Sequence, residues 1–122
     1  MDEYLKMLKS LSESTRLRIL VLLQQAREVC VSDIVEALQE NQYKVSRHLK
    51  VLQDAGLVEN CRKGRWVYYK LNQKNFDFKD TLLHAVDHIT SDILNEDLNR
   101  LKKRLKVRGK HECDVNNRIL SQ

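Results

Sequence analysis

A chain of 122 residues supports one hydrophobic core and leaves little for a second. Its apolar residues, 42% of the total, recur at helical spacings and nowhere form the run of about 18 that a membrane span requires. The first ten residues mix Asp2, Glu3, Lys6 and Lys9 with apolar ones, unlike a secretion signal, so the sequence predicts a cytoplasmic protein with no membrane partner. Cys30, Cys61 and Cys113 are odd in number and irregular in spacing; they fit neither a disulfide framework nor a zinc knuckle and read as reduced thiols. The net charge of +5, from 22 basic and 17 acidic residues, matters to a polyanion only where the basic residues cluster.

Tyr4, Leu5 and Leu8 give a first helix an apolar side. From Ser12 to Ala26, Leu17, Ile19, Leu20, Leu22 and Leu23 keep a helical period behind Ser12 as cap. Ser32 is a second cap candidate, ahead of Ile34, Val35 and Leu38, and Asn41 introduces a third run with Val45, Leu49 and Leu52. Two short helices joined by a tight turn result. After Gly56, Leu57 and Val58 and then Trp66, Val67, Tyr68, Tyr69 and Leu71 flank a charged turn, Arg62 to Arg65, and predict a β-hairpin. Beyond Asn75 the helical period returns for about thirty residues through Leu82, Val86, Ile89, Ile93, Leu98, Leu101 and Leu105. So long a stripe calls for a cover, and a second copy of the chain supplies the simplest one. The expected fold is mainly α with a small β-hairpin, a winged helix-turn-helix over residues 1–108 dimerised through its terminal helices, with a flexible tail over 109–122.

With Val45, Leu49 and Leu52 turned inward, the helix from Gln42 to Asp54 leaves Gln42, Tyr43, Lys44, Ser46, Arg47 and Lys50 on or near its open face. No carboxylate interrupts Asn41 to Gln53. Such a face suits the major groove, where Arg pairs with guanine and Gln with adenine while Lys and Ser bind phosphate; it also suits plain solvent. The hairpin tip, Arg62, Lys63, Gly64 and Arg65, is a compact basic turn on an aromatic stem, fit for a phosphate backbone or minor groove. The order helix, turn, basic helix, basic hairpin reproduces helix-turn-helix docking with an added wing. A third basic cluster puts seven Lys or Arg among the eleven residues from Arg100 to Lys110. It complements the carbonyl end of a helix dipole, the alternative being an extra phosphate contact by the tail.

These residues resemble the ArsR/SmtB family of bacterial metalloregulators. Glu28 to Asp33 (EVCVSD) is similar to the ELCVCD motif of its arsenic-responsive members, Tyr43 to Leu57 (YKVSRHLKVLQDAGL) to their recognition helix and its exit, and Gly64 to Leu71 (GRWVYYKL) to their wing strand. The resemblance implies a dimeric winged helix that holds a palindromic operator until an inducer releases it. It places Gln42, Lys44, Ser46, Arg47 and His48 at recognition-helix positions and Lys63 and Arg65 on the wing, with His48 either reading DNA or holding the helix in place. Where the arsenic sensors have two thiolates, this chain keeps Cys30 and has Ser32 at the partner position; trivalent arsenic needs two or three sulfurs, and Cys113 is the candidate second ligand. The family's other metal site lies on the C-terminal helix, where Asp77, Asp80, His84, Asp87 and His88 fall partly on one face, but Gln73 and Asn75 stand where its acid and histidine belong.

The sequence therefore predicts a repressor that is not an enzyme, with double-stranded operator DNA and a second copy of itself as partners. It needs no cofactor to bind DNA and is released by As(III), Sb(III) or another soft metal ion. A winged-helix regulator or interaction module without metal sensing is the alternative, separated by palindrome binding with a steep salt dependence. No glycine-rich phosphate loop, activated nucleophile or carboxylate pair stands at a spacing that suggests catalysis.

Overall fold

Apolar residues at three- and four-residue spacings set most of the helices, and the structure, a computed structural model, describes residues 1–108. In chain order these form α1 (Asp2–Ser10), α2 (Ser14–Gln25), β1 (Val29–Cys30), α3 (Val31–Leu38), α4 (Gln42–Asp54), β2 (Val58–Lys63), β3 (Trp66–Leu71), α5 (Asp77–Val86) and α6 (Asp92–Arg108). The expected tail, 109–122, lies outside the described residues. Ile19, Leu20 and Leu22 of α2, Ile34 of α3, and Val45, Leu49 and Leu52 of α4 are fully buried in one core. Each such aliphatic side chain is worth about 1.5–3 kcal/mol.

Both predicted serine caps are replaced by neighbours. Glu13 caps α2, its carboxylate accepting the Arg16 N–H at 3.1 Å, while the Ser12 hydroxyl donates back to the Lys9 carbonyl at 2.7 Å. Ser32 sits inside α3, whose start is tied instead by Asp33, three residues past Cys30, accepting the Cys30 N–H at 3.1 Å. Asn41 caps α4 as expected, through Oδ1 and the Lys44 N–H at 2.7 Å. Between α3 and α4 the chain turns on Gln39, a left-handed residue with φ of 57°.

The wing is a three-stranded antiparallel sheet of order β1-β3-β2, where the sequence predicted two strands. Val29 pairs with Tyr69 and Cys30 with Tyr68, which also faces Cys61 across β2. A two-residue strand is too short to display an alternating pattern. Gly64 turns the hairpin with φ of +64° and open space around it, so the demand for glycine is conformational.

The predicted thirty-residue helix is two helices. The N–H groups of His88 and Ile89 bond carbonyls three residues back, at 3.1 and 3.0 Å, and tighten the end of α5. Ser91 then caps α6, its hydroxyl accepting the Leu94 N–H at 3.3 Å. The break lets α6 fold back along α3 and α2, where Leu94, Leu101 and Leu105 are buried. Their stripe is thus covered within the chain rather than by a second copy. The large apolar side chains still exposed near the helical ends of the domain are Met1, Leu5 and Leu8 at α1, Ile89 and Ile93 around the break, and Val107 near the end of α6. Tyr4 packs on Phe76 and Phe78, ring centres 5.8 and 5.0 Å away, and so sets α1 against the start of α5. Among the described residues, no helix is long and apolar enough to cross a membrane.

Candidate nucleic-acid interface

Burial of Val45, Leu49 and Leu52 fixes the rotation of α4, and Gln42, Tyr43, Ser46, Arg47 and Lys50 come out exposed. Acids at its two ends hold two of its cations: Lys44 lies 3.3 Å from Glu40 and Lys50 lies 3.3 Å from Asp54. Between them the Arg47 guanidinium stands 5.7 Å from the centre of the Tyr43 ring, which restrains it while leaving its donors outward. Gln42, Tyr43, Ser46 and Arg47 therefore form the middle of the face, a set of amide, hydroxyl and guanidinium groups that matches base edges and phosphates.

His48, counted from the sequence among the DNA-reading residues, points the other way. It is buried, with Nδ1 3.1 Å from Arg16 Nη1. Arginine only donates, so Nδ1 accepts and the ring proton sits on Nε2, facing Glu13 at 3.8 Å. Arg16 Nε donates to the Ser10 carbonyl at 2.6 Å. One imidazole thus joins the end of α1 and the start of α2 to α4. Burial lowers its pKa; Glu13 opposes that, and Arg16, Arg47 and Lys44 add to it. Burial works against the Glu13 carboxylate, but the Arg16 N–H, His48, the Thr15 N–H and the Arg16 charge together hold its pKa below the ordinary value.

At the wing tip Arg62 and Arg65 are exposed, Arg65 lying 5.1 Å from the centre of the Trp66 ring. Lys63 turns back along the sheet, its Nζ 2.9 Å from the buried Glu28 carboxylate and over the Tyr68 ring. The wing's outward charge is therefore carried by the two arginines.

Behind this surface two buried carboxylates fasten α3. Asp33, which holds the Cys30 N–H, also accepts from Arg104 Nε at 3.1 Å. Asp97 of α6 takes Arg18 through both oxygens, at 2.8 and 2.9 Å, and Arg100 at 2.9 Å. Those arginines in turn donate to the last carbonyls of α3, Arg18 to Leu38 at 2.9 Å and Arg100 to Ala37 at 2.7 Å. The Asp97 hydrogen bonds raise the pKa of Arg18. None of these anchors was singled out from the sequence, because most of them join residues far apart in the chain; only Cys30–Asp33 and Asp97–Arg100, each three residues apart, are local.

Residues 13–60 match the model of the arsR family of bacterial regulatory proteins. Over 93 residues, 76% of this chain and 73% of the relative, the sequence is 38% identical to an arsenic resistance transcriptional regulator of Pseudomonas putida. The chain belongs to the arsR family. It is a winged-helix DNA-binding transcriptional repressor of that family. It is also 41% identical to the arsenical resistance operon repressor of Escherichia coli, over 56% of this chain and 58% of that one. The solution structure of a homodimeric winged helix-turn-helix DNA-binding domain from Mycobacterium bovis, a possible ArsR-family regulator, superposes with a TM-score of 0.59 at 29% identity, covering 73% of this chain and 83% of the other.

Cys30 is buried and disulfide-bonded, where the sequence predicted a reduced thiol; Cys61 is a free cysteine, and Cys113 lies outside the described residues. Ser32 and Val35 offer no second sulfur. No group of three or more His, Cys, Asp or Glu among the described residues is arranged to hold a metal ion. His84 and His88 stack edge to face, 4.9 Å apart, and the His88 ring bonds the His84 carbonyl. The Asp77 to His88 stripe is exposed and ends where α5 ends.

Proposed function

We propose that the chain acts as a homodimer that places two copies of α4 in successive major grooves of a palindromic operator, about 34 Å apart, with Arg62 and Arg65 on the flanking backbone. The single observation that carries the DNA-reading face is the combination of exposed Gln42, Tyr43, Ser46 and Arg47 with Glu40 and Asp54 holding the lysines at its ends. Exposed Leu5 and Leu8 on α1 supply an apolar surface for the second copy, and the solved Mycobacterium bovis domain it resembles is homodimeric. Binding needs no cofactor.

The inducer in this reading is arsenite, antimonite or another thiophilic ion, taken by Cys30 and Cys113 once both are thiols. Cys30 alone does not satisfy trivalent arsenic, which takes two or three sulfurs, and Cys113 is the proposed second ligand. What supports the reading is the position of Cys30, whose N–H is tied to Asp33 at the start of α3, and the arsenic resistance regulators among its relatives. The test is to titrate the reduced protein on its promoter fragment with As(III), Sb(III), Cd(II) and Zn(II). Release by As(III) or Sb(III) that Cys30→Ser and Cys113→Ser each abolish supports the sensor; release unchanged by either removes it and leaves a repressor without metal sensing.

A further inference from the structure

The basic residues at the end of α6 fall into two sets. Arg100 and Arg104 turn inward and are engaged by Asp97, Ala37 and Asp33. Lys102, Lys103 and Lys106 are exposed and, three and four residues apart, form one ridge on the opposite side. No acid interrupts the sequence from Asn99 to Arg108. Charge complementing a helix dipole acts within the last turn, which accounts for Lys106 but not for Lys102 and Lys103.

The sheet register locates this ridge. The antiparallel pairing of β1 with β3 runs β1 toward the wing tip, Val29 facing Tyr69 and then Cys30 facing Tyr68. It hands over to α3 only two rungs, about 7 Å, from the Lys63–Trp66 pair that closes the hairpin. Arg104 bonds Asp33 at that start of α3, while Arg100 bonds Ala37 at its other end, so α6 is antiparallel to α3 and its C-terminal turns lie at the end of α3 nearer the wing. We infer that Lys102, Lys103 and Lys106 form a third DNA contact, gripping the phosphate backbone outside the segment held by the wing. The ligand is the polyanionic backbone of duplex DNA and not any base, because ammonium groups on an exposed helix ridge carry charge without a fixed hydrogen-bonding fork.

The decisive measurement compares the full-length protein with its Lys102→Gln, Lys103→Gln, Lys106→Gln triple variant on two duplexes, one extending a full turn beyond each wing contact and one trimmed to end there. Abolishing one lysine–phosphate pairing makes log K against log[salt] shallower by about 0.9. One such pairing per subunit makes two per dimer, so the parent's advantage on the long duplex should shrink roughly tenfold between about 50 and about 200 mM salt. On the trimmed duplex parent and variant should bind alike, and their thermal unfolding should coincide. Equal salt slopes on the long duplex, or the same deficit on both duplexes, would overturn the proposal.

Discussion

Replacing Asp97 by alanine removes the carboxylate on which α6, α2 and α3 converge. Three charge-assisted hydrogen bonds go with it, two from Arg18 and one from Arg100. Deleting one partner of a buried ion pair costs about 3–5 kcal/mol, chiefly because the other charge is stranded. Here the arginines can partly rehydrate, since their side chains are 11% and 34% exposed against 1% for Asp97, which places the expected loss near the lower end, about 3 kcal/mol. Against a total stability of about 5–15 kcal/mol that is a large share. Asp97→Asn keeps an acceptor for Arg18 and should lose roughly half as much, since hydrogen bonds to charged groups are worth about 1.5–3 kcal/mol. Urea unfolding followed by circular dichroism reads both values. The functional consequence is separable: with Arg18 and Arg100 no longer aimed at the Leu38 and Ala37 carbonyls, the turn into the recognition helix loosens, and folded Asp97→Asn protein should bind operator several-fold more weakly. An Asp97→Ala loss below about 0.5 kcal/mol, the size of an ordinary surface substitution, would refute the reasoning.

Arg47→Ala should cost about 1–3 kcal/mol of operator binding per half-site and relax the choice of one base pair in each, whereas Arg65→Ala should weaken all sequences alike and lower the salt slope by about 1 per subunit, or about 2 for the dimer; binding to a set of single-base operator variants at several salt concentrations tells these apart. Because His48 is held neutral, the unfolded chain takes up a proton as pH falls below about 6.5 while the folded chain does not. Stability should therefore be full above that pH and decline below it until His48 itself protonates. His48→Gln should flatten that part of the curve, and identical pH slopes for parent and variant in urea unfolding would remove His48 from the account. Leu5→Asp on the exposed side of α1 should shift the protein toward monomer in sedimentation and reduce operator affinity; an unchanged dimer would place the interface elsewhere.

The helix-turn-helix was legible because its signals are local. Val45, Leu49 and Leu52 mark the buried side of α4 by their spacing, Asn41 caps it, and the observed bounds, Gln42–Asp54, match the expected ones. The C-terminal half misled because period alone cannot distinguish one long helix from two that share a phase. Leu94, Leu101 and Leu105 repeat as neatly against the chain's own α3 as they would against a partner, and the signal for the break is only a Thr90–Ser91 pair without Gly or Pro. His48 was ambiguous for a different reason. A polar residue next to Leu49 lies at the margin of the buried stripe, and the groups that draw it inward, Arg16 and Glu13, are more than thirty residues away. Lys63 and the wing's tie to Glu28 were hidden in the same way, since β1 had no pattern of its own.

The proposed inducer site must also be able to do enough work. Driving operator-bound protein from about 99% to about 1% takes roughly 5.5 kcal/mol of differential ligand affinity, or somewhat under 3 kcal/mol from each of two sites. A single hydrogen bond to a charged group is worth about 1.5–3 kcal/mol, so breaking one such bond in each subunit is a perturbation of the right size. Asp33 offers one: a ligand that pulls Cys30 out of its seat disturbs the carboxylate that holds the Cys30 N–H with one oxygen and Arg104 with the other. If that is the route, Arg104→Gln should leave arsenite binding to the thiols intact but narrow the gap in operator affinity between free and arsenite-bound protein, by about tenfold if roughly 1.4 kcal/mol of coupling is lost. Thiol-directed calorimetry and operator binding, measured on the same reduced sample, give the two quantities separately. An undiminished gap would mean that the effect of the ligand passes through α3 and α4 without involving α6.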